Sequence, residues 1–212
     1  MRRCNTLPVA VDWVKLGNPN GPPGLATNGP NMYWKRIPYA LLAIFMTVPA
    51  DADVTDAAAN GFSVRQSTVI TAETQVVYAT TIDRISEWWE SAHTISGDGS
   101  NLYIDARPHG CLCERLGPDG GLVHMTVTFV NPGVILRFTG GLGPLGLMGV
   151  SGNMTWEFEA VEGGTRVTWN YAVGGYLDGG LDAVAPAVDS VLTEQLRRLK
   201  SLVESGSAAG DS

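Results

Sequence analysis

The stretch NMTWEFEAVEGGTRVTWNYAV, residues 153–173, contains two runs in which apolar and polar side chains alternate, joined by Glu162-Gly163-Gly164. Alternation with a period of two is typical of a strand with one buried face. A short glycine-containing connection between two such runs favours a hairpin. The stretch therefore predicts two antiparallel strands. Their shared apolar face consists of Met154, Trp156, Phe158, Val167, Trp169, Tyr171 and Val173.

Other alternating runs extend the predicted sheet. Strands are predicted at 62–70, 102–106, 111–116, 122–130 and 134–139, with turn-rich connectors between those from 102 onward. Two short helices are predicted after the first strand, one starting near 71–74 and one at 82–89. The apolar face needs a cover, and residues 183–204 supply it as an amphipathic helix that Asp182 caps and Gly206 ends. The fold class is therefore α+β.

The sequence before this domain has the three parts of a secretory signal. A basic segment at 33–36 is followed by an apolar run at 37–48 and by the Ala-Asp-Ala motif at 50–52. We expect a non-structural or mis-assigned extension at 1–31 and a signal peptide at 32–52, cleaved after Ala52. A linker at 53–61, a domain at 62–204 and a disordered tail at 205–212 complete the prediction. This organisation predicts a periplasmic or secreted protein without stable membrane insertion, or a membrane-anchored one if the signal stays uncleaved.

Charge argues against some classes of partner. From Asp53 onward the chain carries nine Lys or Arg and nineteen Asp or Glu, a net charge of −10. Such a surface repels nucleic acid and anionic lipid, so no nucleic-acid partner is expected. The run 141–146 matches the G-x-G-x-x-G pattern, but a strand follows it and not the helix that a dinucleotide site requires. We interpret it as a flexible loop, and we expect no cofactor.

The predicted element order resembles the helix-grip architecture of the START and birch-pollen-allergen superfamily, also called SRPBCC. Within it, the chain is similar to bacterial members grouped with activators of heat-shock-protein ATPase. The resemblance depends on Trp88-Trp89, Pro108-His109-Gly110, the run EGGTRVT at 162–168 and the closing helix. It implies a curved antiparallel sheet of about seven strands wrapped around the C-terminal helix. It also implies a cavity between them, which relatives use for lipids, sterols, polyketides or hormones, and occasionally for cyclase-type chemistry.

Several side chains are candidates for such a pocket because they combine an apolar body with a polar tip, or lie on apolar faces. Gln195 interrupts the apolar stripe of the helix, where it could orient a ligand or lie at the edge of the stripe. For the tryptophans, core packing is the alternative. The predicted ligand-binding residues are Trp88, Trp89, His93, Leu112, Glu114, Phe138, Tyr171, Tyr176 and Gln195.

Glu114 and His93 are the candidates for acid–base chemistry. Glu114 shares a strand face with Leu112, so we expect burial to raise its pKa. His93 follows the tryptophan pair and could approach Glu114 across the cavity. Alternatively, Glu114 bonds a nearby arginine or a backbone N–H, and His93 caps a helix. His124 alternates with Val123 and Met125 and is therefore expected to be exposed.

His109, Cys111 and Cys113 alternate along one strand and are a weak candidate for a metal site. Side chains at alternate positions of one strand point apart, which makes a shared ligand geometry difficult. Small buried cysteines also commonly have only a packing role. A bridge between Cys111 and Cys113 would close a very small ring across an extended strand, so we expect free thiols.

These observations favour binding or carriage of a small lipophilic molecule. A cyclase or dehydratase using His93 and Glu114 is the first alternative, and a protein-interaction module like the chaperone activators is the second. The oligomeric state is left open.

Overall fold

The computed structural model describes residues 51–208, with side chains described from Asp53 onward. The expected extension at 1–31 lies outside the described residues, as does the signal peptide except for its last two positions. Within the described part, no helix is long and apolar enough to cross a membrane.

Eight strands and three α-helices make up the described chain. The strands are β1 (Asp51–Ala58), β2 (Gly61–Ile70), β3 (Leu102–Ile104), β4 (Cys111–Leu116), β5 (Gly120–Asn131), β6 (Ile135–Gly140), β7 (Gly149–Val161) and β8 (Gly164–Tyr176). The helices are α1 (Thr74–Asp83), α2 (Ile85–Trp88) and α3 (Ala185–Ser205). Short 3₁₀ turns lie at Ser91–His93, Gly99–Asn101 and Gly143–Leu147.

All eight strands belong to one antiparallel sheet in the order β1-β2-β8-β7-β6-β5-β4-β3. The predicted hairpin is confirmed: β7 and β8 pair along their whole length, with Trp156 opposite Trp169. The count is eight strands and not about seven because residues 51–58, mostly expected to be a linker, pair with β2. Val54 lies opposite Val64 in this pairing, and β1 supplies hydrogen-bond partners that the edge of β2 would otherwise lack.

Helix α3 covers the inner face of the sheet, packing chiefly against β2. Its apolar stripe is almost fully buried: Leu192, Leu196, Leu199 and Leu202 are each at most 3% exposed. Gly206 ends the helix as predicted, in the left-handed conformation at φ 82° that favours glycine. The start differs from the prediction, because Val184 and not Asp182 occupies the cap position. The α+β helix-grip fold is confirmed.

Tryptophans fill the centre of the space between sheet and helices. The rings of Trp156 and Trp169 stack with centroids 4.8 Å apart, and Trp88 of α2 packs on both at 6.1 and 5.8 Å. Phe138 of β6 meets Trp156 edge-on at 5.0 Å. All four side chains have 0% exposure, so this aromatic cluster is the middle of the core.

Candidate functional site

A β-bulge on β5 brings His124 into the interior. The pairing of β4 with β5 passes from Leu112 opposite Met125 to Cys113 opposite Val123, which leaves His124 as an extra residue. An extra residue breaks the alternation of faces, so both His124 and Met125 are buried. The expectation that His124 is exposed is therefore wrong: the side chain is only 6% exposed.

Glu114 of β4 is fully buried and bound to His124. Its Oε2 lies 2.8 Å from His124 Nε2. The carboxylate also accepts hydrogen bonds from the backbone N–H groups of Ile95, at 3.1 Å, and Ser96. Burial by itself raises the pKa of Glu114, but the bonds from Ser96, Ile95 and His124 together outweigh burial and lower it. The expected rise is therefore wrong, and the structure holds an ionised carboxylate in the interior.

The glycine-rich loop at 141–146 covers this pair. The backbone N–H of Gly143 donates to His124 Nδ1 at 3.3 Å. The hydroxyl of Tyr171 binds the segment just before Gly143: it accepts from the Leu142 N–H at 3.0 Å and donates to the Gly140 carbonyl at 3.3 Å. Burial raises the pKa of Tyr171 to about 12, so the hydroxyl remains protonated. The loop thus lies over one nitrogen of His124, while Glu114 binds the other.

His93 belongs to a second polar group and does not pair with Glu114. Its Nδ1 lies 3.0 Å from Gln195 Nε2, and Gln195 Oε1 accepts the Glu90 N–H at 2.7 Å. Arg198 donates to the Glu90 carboxylate at 2.8 Å and to the Trp88 carbonyl at 2.9 Å. Burial lowers the pKa of His93. These contacts fasten α3 to the segment that follows α2, so Gln195 is buried but satisfied by protein groups.

Two of the buried tryptophans have unsatisfied N–H groups. Trp88 donates to the Thr81 carbonyl at 3.3 Å, and Trp89 to the His93 carbonyl at 3.1 Å. The indole N–H groups of Trp156 and Trp169 have no hydrogen-bond partner among the residues that the structure describes. Native interiors pair nearly all buried polar atoms, so two unpaired donors on adjacent strands are unusual.

A disulfide joins Cys111 and Cys113. The expectation of free thiols is wrong, because β4 is compressed where it faces the bulge: the two Cα atoms are 5.4 Å apart. A regular strand would separate them by about 6.6 Å. The bridge uses both thiols proposed as metal ligands, and His109 is exposed in a left-handed turn at φ 67°. Within the described residues no cluster of three or more His, Cys, Asp or Glu could hold a metal ion.

Tyr176 was predicted to line the pocket, but it does not face the interior. It is 76% exposed and lies opposite Gly149 in the pairing of β7 with β8. Five positions separate it from Tyr171, and an odd separation puts two strand residues on opposite faces. Trp88, Trp89, Leu112, Phe138 and Tyr171 are all buried on the inner side.

An open trough of about 440 Å³ lies elsewhere, across β1, β2, β8 and β7. Its lining includes Ser63, Asn153 and Ala172, which are less buried than the core residues that alternate with them. The trough is therefore on the outer side of the sheet, away from α3.

Sequence reasoning missed His124 as the partner of Glu114 and missed the two unpaired indoles. The alternation around His124 gives no sign of the bulge. The alternating pattern places Trp156 and Trp169 on the inner face, but whether their N–H groups find an acceptor depends on which carbonyls the fold brings near them.

Comparison with known proteins gives one family match. Residues 61–204 match the family described as polyketide cyclase/dehydrase and lipid transport. No similar protein is found among those with curated functions.

Solved structures with low sequence identity are similar to the chain. A conserved protein of unknown function from Enterococcus faecalis is 15% identical over 77% of this chain and 81% of its own, with a TM-score of 0.48. An uncharacterized protein from Rhizobium leguminosarum is 20% identical over 68% and 99%, with a TM-score of 0.45. The Aha1 dimer from Colwellia psychrerythraea is 14% identical over 68% and 97%, with a TM-score of 0.48.

Proposed function

Since the chain belongs to the polyketide cyclase/dehydrase and lipid transport family, we propose that it binds a small lipophilic molecule that carries an oxygen acceptor, in the interior between the sheet and the helices. The two unpaired indole N–H groups of Trp156 and Trp169 are the observation that supports this proposal.

An unpaired buried donor is costly. Leaving one such group without a partner costs about 1–3 kcal/mol, because its hydrogen bond to water is lost and not replaced. A ligand carbonyl or hydroxyl oxygen beside Trp156 and Trp169 would recover part of that cost. The surrounding rings of Trp88 and Phe138 offer apolar contact for the rest of the molecule. The ligand chemistry that fits is therefore an apolar skeleton with at least one acceptor oxygen.

Room for the ligand comes from movement of α2. This helix has only four residues, and it carries Trp88 onto the stacked pair. Displacement of Trp88 uncovers both rings without disturbing the pairing of β7 with β8. The polar contacts of Glu90 with Gln195 and Arg198 set the limit of that movement.

The experiment compares 2-tetralone, a bicyclic ketone, with tetralin, the same skeleton without the oxygen, by fluorescence titration. The variants Trp156→Phe and Trp169→Phe remove the unpaired donor and keep an aromatic ring. We expect each variant to bind 2-tetralone roughly 3- to 10-fold more weakly, the effect of losing one hydrogen bond. Tetralin affinity should be unchanged.

The empty variants supply an independent readout. Trp156→Phe and Trp169→Phe each remove a buried donor that has no partner. Apart from the packing lost with the smaller ring, each change should therefore leave the free energy of unfolding unchanged or raise it. Trp88→Phe, which loses a made hydrogen bond to the Thr81 carbonyl, should lower it. Equal loss of tetralin and 2-tetralone binding would show that only ring packing matters, and absence of 2-tetralone binding to the wild type would contradict the proposal.

We also propose that the protein acts outside the cytosol. The signal-like sequence at 32–52 supports this, as does the Cys111–Cys113 disulfide, because cytosolic proteins rarely keep disulfides. Cleavage after Ala52 would remove only the first two residues of β1. Cell fractionation with N-terminal sequencing tests this: an exported chain that starts at Asp53 supports it, an uncleaved membrane-bound chain supports anchoring, and a cytosolic chain contradicts both.

A further inference from the structure

We propose that the Cys111–Cys113 disulfide is a redox site that exchanges with external thiols, so that the protein oxidises a dithiol while its own disulfide is reduced. Cys111 is the sulfur that the external thiol attacks, and Cys113 is the leaving group. The substrate class is a low-molecular-weight dithiol. The site lies on the outer face of the sheet, so this activity does not depend on the lipophilic ligand proposed above.

The orientation of β4 places the bridge on that outer face. Glu114 points inward and is fully buried, and side chains alternate along a strand, so Cys113 points outward. Cys111 is bridged to Cys113 and therefore lies on the same side. The cross-strand neighbours of Cys113 agree with this, because Tyr103 of β3 is 38% exposed and Val123 of β5 is 57% exposed. The disulfide is thus outside the core and next to the solvent.

The two sulfurs differ in access to solvent. Cys111 is partly exposed, whereas Cys113 is only 4% exposed. The difference follows from the edge of the sheet: β3 ends at Ile104, which pairs with Leu112, so the edge strand has already ended where Cys111 begins β4. Cys113 lies further in, between Tyr103 and the neighbouring strand β5. The accessible sulfur of a disulfide is the one that a thiolate attacks, which makes Cys111 the target.

Arg115 supplies a positive charge beside the leaving sulfur. It follows Cys113 by two positions on β4 and therefore shares its face. Its guanidinium lies over the ring of Tyr103, 4.5 Å from the centroid, and Tyr103 lies directly opposite Cys113. A cation beside a cysteine stabilises its thiolate, and a more stable thiolate leaves faster. The charge therefore favours attack at Cys111 with expulsion of Cys113.

The fold keeps both cysteines in place when the bridge is open. Strand β4 is paired on both sides, with β3 and with β5. A bridge two positions apart closes a loop of only three residues, and loop entropy stabilises such a short loop less than a long one. Disulfides that lie at the surface are more readily reduced than structural ones. Reduction and reoxidation can therefore take place in the folded protein.

The exchange balances with the dithiol as reductant and the protein disulfide as oxidant. A thiolate of the dithiol attacks Cys111 Sγ, the bond between Cys111 and Cys113 breaks, and Cys113 leaves with the electron pair as a thiolate. The second thiolate of the dithiol then attacks the external sulfur of this mixed disulfide and releases Cys111. The dithiol becomes a disulfide, and its two protons end on Cys111 and Cys113.

The first test measures how fast dithiothreitol reduces the bridge in the full chain. Samples are alkylated and the peptide that contains Cys111 and Cys113 is followed by mass spectrometry, which separates it from Cys4. We expect a rate proportional to the dithiothreitol concentration that changes less than about 2-fold between 0 and about 1 M urea. A bridge that reacts only after unfolding would be reduced roughly 5-fold faster or more at about 1 M urea. That result, or no reduction of the folded protein, would overturn the proposal.

The second test identifies the sulfur that is attacked. Cys113→Ser leaves the accessible thiol of Cys111, which should form a mixed disulfide with oxidised glutathione. Cys111→Ser leaves the thiol of Cys113, which is covered, and it should react at least about 10-fold more slowly. Faster reaction at Cys113 would overturn the assignment of Cys111 as the target. If either variant does not fold, the urea dependence of the wild type decides.

The third test concerns Arg115. Arg115→Gln should slow the reduction by dithiothreitol roughly 3-fold, because the leaving thiolate of Cys113 loses its neighbouring charge. Arg137→Gln is the matched control, since Arg137 also lies over an exposed ring, that of Phe129, but on β6. It should be reduced like the wild type. Equal rates in the two variants would overturn the role given to Arg115.

Discussion

The disulfide between Cys111 and Cys113 spans the part of β4 that faces the β5 bulge. Cys113 lies opposite Val123 and Leu112 opposite Met125, so the extra residue His124 falls within the span of the bridge. His124 in turn binds Glu114, the residue that follows Cys113. The bridge is thus directly adjacent, along β4, to the buried ionisable pair.

Removing the disulfide should weaken the fold around this pair. The bridge closes a loop of only three residues, for which loop entropy gives roughly 1–2 kcal/mol. We expect Cys111→Ser/Cys113→Ser to lower the melting temperature by about 3–6 °C, measured by circular dichroism. Amide hydrogen exchange at His124 and Met125 should become faster, because the compressed segment of β4 is released.

Reductant supplies the control for this prediction. Dithiothreitol should lower the melting temperature of the wild type towards that of the double serine variant and leave the variant unchanged. A wild type that keeps its melting temperature after complete reduction would show that the bridge does not stabilise this region.

Tyr171→Phe should loosen the glycine-rich loop. The change removes the hydroxyl that accepts from Leu142 and donates to Gly140, at a cost of about 1 kcal/mol. The Leu142 amide should then exchange with solvent several-fold faster. Tyr176→Phe is the matched control, since this tyrosine is 76% exposed and should change neither stability nor exchange. Equal exchange at Leu142 in both variants would contradict the role given to Tyr171.

The regular part of the fold could be predicted because apolar side chains recur every second residue in its strands and at helical spacing in α3. The β7–β8 hairpin and α3 were predicted within a few residues, as Trp156 and Trp169 alternate with polar side chains and the leucines of α3 recur at helical spacing. Strand β1 could not be predicted in this way. It is largely exposed on both faces, so its sequence DADVTDAA carries no clear apolar face.

The site was only partly predictable. Glu114 was a candidate because its neighbours on the strand face are apolar, and it is indeed buried. Its expected bond to a backbone N–H is present, from Ile95 and Ser96, but the pairing with His93 is wrong. The actual side-chain partner, His124, was not foreseen, since a bulge depends on the pairing of two strands and leaves no mark on either sequence alone. Gln195 was placed correctly on the apolar side of α3, but its bonds to His93 and Glu90 join residues about a hundred positions apart. Local patterns do not specify such pairings.

Arg198→Met should destabilise the protein by about 2–3 kcal/mol. The substitution removes a side chain that is 5% exposed and leaves the Glu90 carboxylate and the Trp88 carbonyl with fewer partners. Breaking a fully buried ion pair costs about 3–5 kcal/mol, and the value here is smaller because Glu90 is one-third exposed. Urea unfolding followed by tryptophan fluorescence measures the change.

The preceding residue in the sequence, Arg197, supplies the control for Arg198. Arg197 pairs with Glu194 on the surface, where its side chain is 52% exposed. Exposed pairs contribute little, so Arg197→Met should change the free energy of unfolding by less than about 1 kcal/mol. Similar losses in the two variants would show that the contact between α3 and the α2 segment does not stabilise the fold.

His93 should make the protein less stable in mild acid. Burial lowers its pKa from the ordinary value of 6.5, although the negative charges of Glu90 and Glu194 oppose that change and Arg198 adds to it. The unfolded chain therefore binds a proton at higher pH than the folded one does. The contribution of neutral His93 to the free energy of unfolding is fully present above pH 6.5. It decreases as the pH drops below that value, until His93 in the folded protein is also protonated.

The measurement is the free energy of unfolding in urea at several pH values between about 7.5 and about 5. This range spans the titration of a histidine, whose ordinary pKa is about 6.5. His93→Gln keeps a polar group beside Gln195 and removes the titration, so its stability should depend less on pH in this window. His109→Asn, at an exposed position, should retain the wild-type slope. An unchanged slope in His93→Gln would contradict the assignment, because the acid sensitivity would then come from another group.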